Sequence, residues 1–283
     1  MATEDSPARL ALPAREVDLP DPSPPTPPAL EVSNLHISID SQHIVKGIDF
    51  VVYDNRVTAI IGVCGSGKSV MLKTIVGTLR EELNRKSKLV VEGRVLFAGM
   101  DILQLRSPRD LGSLRRQLAY VGQSPVAFPG SIYDNIAMGV RYWQPEIRQG
   151  ELNERIEWAL TKLSIWPHAK DKLRHSAATL SGGQLQCLCL ARALALKPRV
   201  LLLDEPCAYV DPISASQIEE FLGELVLDAA VLIVTHNLQQ AFRVSDMLML
   251  VHLGQMVEHD DTRTMITRPK KKQTEDYITG RFG

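Results

Sequence analysis

No run of 18 or more consecutive apolar residues occurs anywhere in the 283-residue sequence, so no segment reads as a membrane-spanning helix. AAVLIV (229–234) is among the longest runs and fits a buried strand. The four cysteines, Cys64, Cys187, Cys189 and Cys207, form no CxxC pair, and no Cys/His cluster has zinc-ligand spacing. Free thiols in a reducing compartment are expected. An excess of positive charge is missing too: 32 Lys and Arg stand against 33 Asp and Glu, which argues against a nucleic-acid partner. The first residues are acidic where a signal peptide is basic, and no long apolar run follows. A soluble, cytosolic protein is expected, whose work at any membrane goes through a partner.

What is abundant at the start is proline. PDPSPPTPP makes residues 1–29 an extended or disordered leader, or a ligand for a proline-reading domain, that cannot bury a core. From residue 30 to 283 the pattern is that of one folded domain. EVSNLHISI and GIDFVVY alternate apolar and polar residues as half-buried strands do, with a turn at Asp54 and Asn55. VTAII, LAYVGQ, RVLLLDEP and AAVLIVTHN are strands, three of them continuously apolar, separated by helical stretches; together they imply a parallel sheet covered on both faces. VVEGRVLFAG looks like strands around a glycine, and MLMLVHLGQMVEH like a hairpin around Leu253–Gly254. About 125–180 reads as a mainly helical insert, carried by NERIEWALTKLSIW.

Two glycine-rich segments stand out. GVCGSGKS (62–69) fits G-x-x-x-x-G-K-S between a buried strand and an amphipathic helix, the context a phosphate loop requires. Gly62, Val63, Cys64, Gly65, Ser66 and Gly67 wrap phosphates with backbone N–H groups, Lys68 reaches the β- and γ-phosphates, and Ser69 can hold magnesium. LSGGQ (180–184) offers a second small pocket of N–H groups at a helix start, from Ser181, Gly182 and Gly183. LLLDEP adds two carboxylates at a strand end: Asp204 to organise magnesium and Glu205 to polarise a water for in-line attack. His236, at the end of the next core strand, is a γ-phosphate contact or a structural histidine. Gln123, at another strand end, can contact magnesium or water.

These motifs in this order, GVCGSGKS, Gln123, LSGGQ, LLLDEP, Asp211 and His236, resemble the nucleotide-binding subunits of ATP-binding cassette (ABC) transporters, from about residue 30 to the end. The resemblance implies an α/β fold: a P-loop NTPase (RecA-like) core with a mostly parallel sheet, an antiparallel β subdomain and an inserted helical subdomain. It implies ATP and Mg2+ as ligands, and a head-to-tail homodimer. Ser181, Gly182, Gly183 and Gln184 of one chain then close over the ATP of the other, and Asp211 lies in the D-loop that crosses the same interface. SIYDNIA, WALTKLSIW, DEPC, DPIS, VTHNLQQA and KKQTEDYITGRFG resemble, within that family, the PstB-type ATPases of bacterial phosphate importers. The implied partners are two integral membrane permease subunits and, indirectly, a periplasmic phosphate-binding protein, with the chain on the cytoplasmic face of the inner membrane. Phe128, Pro129, Ile132 and Tyr133 either meet the membrane subunits or are ordinary core. An ATPase for another oxyanion importer, and a low-turnover nucleotide-gated regulatory subunit, remain alternatives. The insert is too short for the coiled coil of DNA-handling relatives.

The sequence also departs from the family pattern. Val70 stands where a threonine hydroxyl contacts phosphate, a loss of about 0.5–1.5 kcal/mol. Ile39 stands where the family stacks an aromatic on adenine, so weak discrimination between ATP and GTP is expected unless His36 or His43 fills the gap. Cys64 lies within the loop, and reversible inhibition by oxidants is expected. Cys187, Tyr209 and Val210 replace family residues near the implied dimer interface.

Overall fold

The computed structural model describes residues 28–225 and 228–281. Nearly all of the proline-rich leader therefore lies outside the described residues. Its last two, Pro28 and Ala29, already belong to the first strand, where Ala29 is fully buried. In chain order the elements begin β1 (Pro28–Ile39), β2 (Gln42–Tyr53), β3 (Val57–Ile61), α1 (Lys68–Ile75), α2 (Leu79–Glu82), β4 (Leu89–Phe97), β5 (Met100–Asp101), α3 (Pro108–Gln117) and β6 (Leu118–Val121). Four helices follow: α4 (Ile132–Trp143), α5 (Gln149–Lys162), α6 (Trp166–Ala169) and α7 (Gly182–Leu194). The chain continues through β7 (Val200–Asp204), α8 (Pro212–Leu225), β8 (Ala230–Val234), α9 (Leu238–Val244), β9 (Met247–His252), β10 (Gln255–Asp261), α10 (Thr262–Thr267) and α11 (Lys272–Ile278).

Two sheets organise these elements. The larger has the order β10-β9-β3-β8-β7-β6, parallel throughout except for β10, which pairs antiparallel with β9 as the sequence hairpin foresees. The smaller is antiparallel, in the order β2-β1-β4-β5. VVEGRVLFAG is one strand rather than two: β4 runs through Gly93, opposite a bulge in β1.

The continuous apolar runs fold as they do because both faces of the parallel sheet are covered. Every residue of β3, β7 and β8 is buried. Odd positions of β3 and β7 (Val57, Ala59, Ile61, Leu201, Leu203), with Val231 and Ile233 of β8, join a core with residues of α4, α5, α7 and α8. The alternate set (Ile60, Val200, Leu202, Leu232, Val234) packs with Met71, Leu72 and Ile75 of α1 and with Leu30, Ile37 and Ile48 of the antiparallel sheet. Each fully buried Leu or Ile contributes roughly 1.5–3 kcal/mol, so the sheet is a rigid support. Parallel strands also end on one edge, the edge where α/β sheets present ligand groups. β3, β6, β7 and β8 all finish there. Among the described residues no helix is long and apolar enough to cross a membrane.

Candidate functional site

Residues 62–67 form the loop from β3 into α1, and Lys68 opens the helix. The entry is tight: a Cβ on Gly62 would lie 2.0 Å from the Val251 carbonyl oxygen, so no other residue fits. The Val63 carbonyl turns inward and accepts from the Ser66 N–H (3.3 Å), the Ser66 hydroxyl (2.8 Å) and the Lys68 ammonium (2.9 Å). Lys68 also donates to the Gly62 carbonyl at 2.7 Å. Burial lowers the affinity of its amine for a proton, while Glu205, Cys64 and Asp204 nearby oppose that shift. A cation is thus held in the mouth of the loop, with carboxylates facing it. Cys64 is an exposed free thiol in the same loop.

Asp204 ends β7, buried to 3% exposure. Its Oδ1 accepts from the Ser69 hydroxyl at 2.8 Å, and its Oδ2 from the Tyr120 hydroxyl at 3.1 Å. Glu205 follows with φ of 51°, a left-handed conformation that costs a non-glycine residue about 1–2 kcal/mol. Its N–H still donates to the Val234 carbonyl at 2.9 Å, so the pairing of β7 with β8 extends one residue past the strand. The Glu205 carboxylate then meets His236 Nδ1 at 2.5 Å. One strained residue turns the second carboxylate away from Ser69 and onto the histidine.

The structure therefore joins Lys68, Ser69, Asp204, Glu205 and His236 at one sheet edge. Gln123 is on the same edge but two residues beyond the end of β6, exposed, and among the described residues it makes no hydrogen bond to this group. Val70 is half-buried and packs on the core beneath α1; Ile39, at the end of β1, does the same. His36 and His43 stack on each other at 5.3 Å, with 3.1 Å between their ring nitrogens and Asn34 completing the cluster. Two residues escaped the sequence reading. Tyr120 has the same strand-face parity as Asp204, a signal present in LAYVGQ and LLLDEP. Tyr277 of α11, whose phenol is raised by burial and hydrogen-bonds to the Gly62 backbone, comes from a remote segment with no local signal.

The second glycine segment is built differently. Ser181 caps α7, accepting from the Gln184 N–H at 3.4 Å while the Gln184 side chain accepts from the Ser181 N–H at 3.1 Å, a reciprocal capping box. Ser181, Gly182 and Gln184 are exposed. Gly183 is buried against the start of α8: a Cβ there would lie 2.3 Å from the Ser214 hydroxyl and 2.9 Å from Asp211 Oδ2. Asp211 is itself occupied, accepting from the Ile213 and Ser214 N–H groups and the Ser214 hydroxyl, bonds that hold its carboxyl below the usual range. Among the described residues no hydrogen bond links this segment to loop 62–69.

The family model for ABC transporters matches residues 45–208, more than half of the chain. The chain belongs to the ABC transporter family. It is an ATP-binding domain of that family, with the α/β P-loop NTPase fold. The structure of cbiO1 from Clostridium perfringens, described as part of the ABC transporter complex cbiONQ, superposes with a TM-score of 0.72 at 26% identity, covering 90% of this chain and 96% of that one. A bacterial Atm1-family ABC exporter with ATP bound gives a TM-score of 0.73 at 22% identity, over 93% of this chain and 44% of the exporter, and shows the fold alone.

The helical stretch between β6 and β7 separates the four apolar residues that the sequence leaves open between core and docking face. Ile132 and Tyr133 are core, each 3% exposed, their N–H groups bonded to the His175 and Leu173 carbonyls. Phe128 and Pro129 are exposed. The guanidinium of Arg192 stacks 4.3 Å over the Phe128 ring and donates to the Val126 carbonyl at 3.2 Å, while Asn135 bonds both the N–H and the carbonyl of Phe128. The loop after Gln123 is thereby tied to α4 and α7.

Proposed function

We propose that this chain is the ATP-hydrolysing subunit of an importer of inorganic phosphate, working as a homodimer with two integral membrane permease subunits on the cytoplasmic face of the inner membrane. A periplasmic phosphate-binding protein would select the cargo. The observation that carries the hydrolytic part is the division of the two adjacent carboxylates, Asp204 on Ser69 and Glu205 on His236, at the edge where Lys68 sits. Cargo rests on the sequence resemblance of segments such as VTHNLQQA and KKQTEDYITGRFG.

In this reading Lys68 leaves the Gly62 and Val63 carbonyls for the β- and γ-phosphates of ATP, and the N–H groups of residues 62–67 and of Ser69 and Val70 surround them. The Ser69 hydroxyl and Asp204, with Gln123, fit Mg2+, a hard cation that prefers oxygen and takes few protein ligands beside substrate phosphates. Held by these residues, Mg2+ would supply charge neutralisation to the transferring phosphoryl group. Glu205 polarises the attacking water, and His236 orients Glu205 and contacts the γ-phosphate. Ile39 gives adenine an apolar contact. Ser181, Gly182, Gly183 and Gln184 complete the site of the partner copy, with Asp211 beside them. ATP bridging two chains stabilises the closed dimer, and hydrolysis releases it.

Glu205→Gln should lower hydrolysis by about 10²–10⁴-fold, the usual worth of general-base help, while ATP binding persists. An unchanged rate would overturn the assignment. The similarity to cbiO1, part of a different transporter complex, favours a second reading in which the same engine serves another importer. Uptake of labelled phosphate against sulfate and molybdate, in cells that depend on this chain, separates the two. A low-turnover regulatory subunit is the reading left if Glu205→Gln leaves phosphate-dependent signalling intact and transport unaffected.

A further inference from the structure

Tyr120 lies outside the residue set that the motifs supply, yet it holds half of Asp204. β6 and β7 are parallel neighbours with Tyr120 opposite Leu202. Leu118, Tyr120, Val200 and Leu202 share the sheet face that α1 covers. Asp204, two residues past Leu202, returns to that same face by the period of a strand. Ser69 comes down on it from the first turn of α1. The carboxylate is clamped from both sides: Ser69 on Oδ1 at 2.8 Å and Tyr120 on Oδ2 at 3.1 Å. The Tyr120 ring is half-buried and lies against Gly122, whose ideal Cβ would sit 3.4 Å from the ring and the hydroxyl. Burial first, and Asp204 second, keep the phenol protonated and therefore a donor.

We propose that Tyr120 is a positioning residue that restricts Asp204 to one available oxygen and so favours Mg2+ over Ca2+ at the nucleotide site. The proposal rests on the ATPase reading given above. Mg2+ demands near-octahedral coordination at about 2.0–2.1 Å and keeps much of its water, whereas Ca2+ accepts carboxylates through both oxygens at about 2.3–2.6 Å. A hydroxyl fixed on Oδ2 occupies the oxygen that a two-oxygen grip needs. It also fixes the rotation of the carboxylate, so Oδ1 faces Ser69 before any cation arrives.

The test is Tyr120→Phe, which keeps the ring and removes only the hydroxyl. Binding of a ribose-labelled fluorescent ATP is measured without metal, then with Mg2+ and with Ca2+ titrated separately. The expected result is unchanged metal-free affinity, with the preference for Mg2+ over Ca2+ narrowed by about five-fold, the worth of one hydrogen bond of ~1 kcal/mol. Equal shifts for both cations, or none, would overturn the proposal while leaving the ATPase reading in place. Loss of metal-free binding or of the native unfolding transition would overturn it as well, by making Tyr120 a packing residue. Absence of any metal-dependent ATP binding in the unsubstituted chain would remove the ATPase reading itself.

Discussion

The two glycine segments, 62–67 and 181–184, both lead into the start of a helix, but the chain surrounds them in opposite ways. The first is enclosed by its own chain: Lys68 fills its mouth, Val251 closes its back, and Asp204 and Glu205 face it. The second is backed by its own chain on one side, where Gly183 touches Ser214 and Asp211, and bare on the other. One is a site with its chemistry attached. The other is an exposed helix start bonded only within its own cap, and under the proposed function a second copy closes on it.

The sharpest way to break that contrast is to divide the two segments between chains. Lys68→Ala and Ser181→Arg should each abolish ATP hydrolysis alone. If the second segment serves a neighbour, an equimolar mixture regains activity, because a mixed dimer pairs an intact Lys68 with an intact Ser181. Random pairing predicts roughly a quarter of the unsubstituted rate. A mixture as inactive as its components would mean that each chain uses both segments itself.

How far the sequence foretold this arrangement depends on which physical signal each residue leaves. β3, β7 and β8 were legible because burial on both faces demands continuous apolar runs, and such runs are rare elsewhere. Lys68, Ser69, Asp204, Glu205 and His236 were legible because each follows directly on one of those runs or on the loop after it. The interlock of Gly183 with Ser214 was not, since contact between α7 and α8 has no local periodicity. Ile132 and Tyr133 were ambiguous for the same reason: an apolar residue at a helix start looks alike in a core and on a docking face. The αL turn at Glu205 left no trace, because glycine does not mark it.

That interlock gives the next largest effect. Gly183→Ala places a methyl where the Ser214 hydroxyl lies, 2.3 Å from the ideal Cβ, with the Ser214 Cβ at 2.7 Å. α7 must shift against α8, at a cost of about 1–3 kcal/mol in stability. Gly182→Ala meets only the Tyr209 carbonyl oxygen, at a less severe 3.2 Å, and should move the midpoint of denaturant unfolding less than Gly183→Ala does. Equal midpoints for the two variants would show that the segment is loosely held.

Thiol chemistry separates the segments by exposure. Cys64 in the first loop is exposed, while Cys187 on α7 is buried and Cys207 half-buried, and burial pushes their thiols up to about 12 and about 11. Both raised groups stay protonated, and so poor nucleophiles, at pH 8. By linkage the stability they hold is fully present below about pH 9, the unfolded value, and is lost as pH rises through the native values. Cys189 is buried as well, so native chain treated with iodoacetamide at pH 8 should gain a single fast adduct by mass, on Cys64, and ATP should slow it. Rapid labelling of Cys187 would contradict the packing of α7.

The smallest effect sharpens the first segment alone. Val70 sits one residue past Ser69 in the first turn of α1, half-buried on the core that α1 covers, and its carbonyl accepts the Thr74 hydroxyl at 2.8 Å. Val70→Thr keeps the branched shape and exchanges one methyl for a hydroxyl beside the place that the proposed function gives to phosphate. One neutral hydrogen bond contributes about 0.5–1.5 kcal/mol, so ATP should bind roughly two- to ten-fold more tightly. The rate at saturating ATP should not move, because Glu205 and His236 are untouched and a contact made equally in ground and transition states changes affinity only. A change in that rate with affinity unaltered would mean that position 70 acts on the chemistry, through Ser69 and Asp204, rather than on the nucleotide.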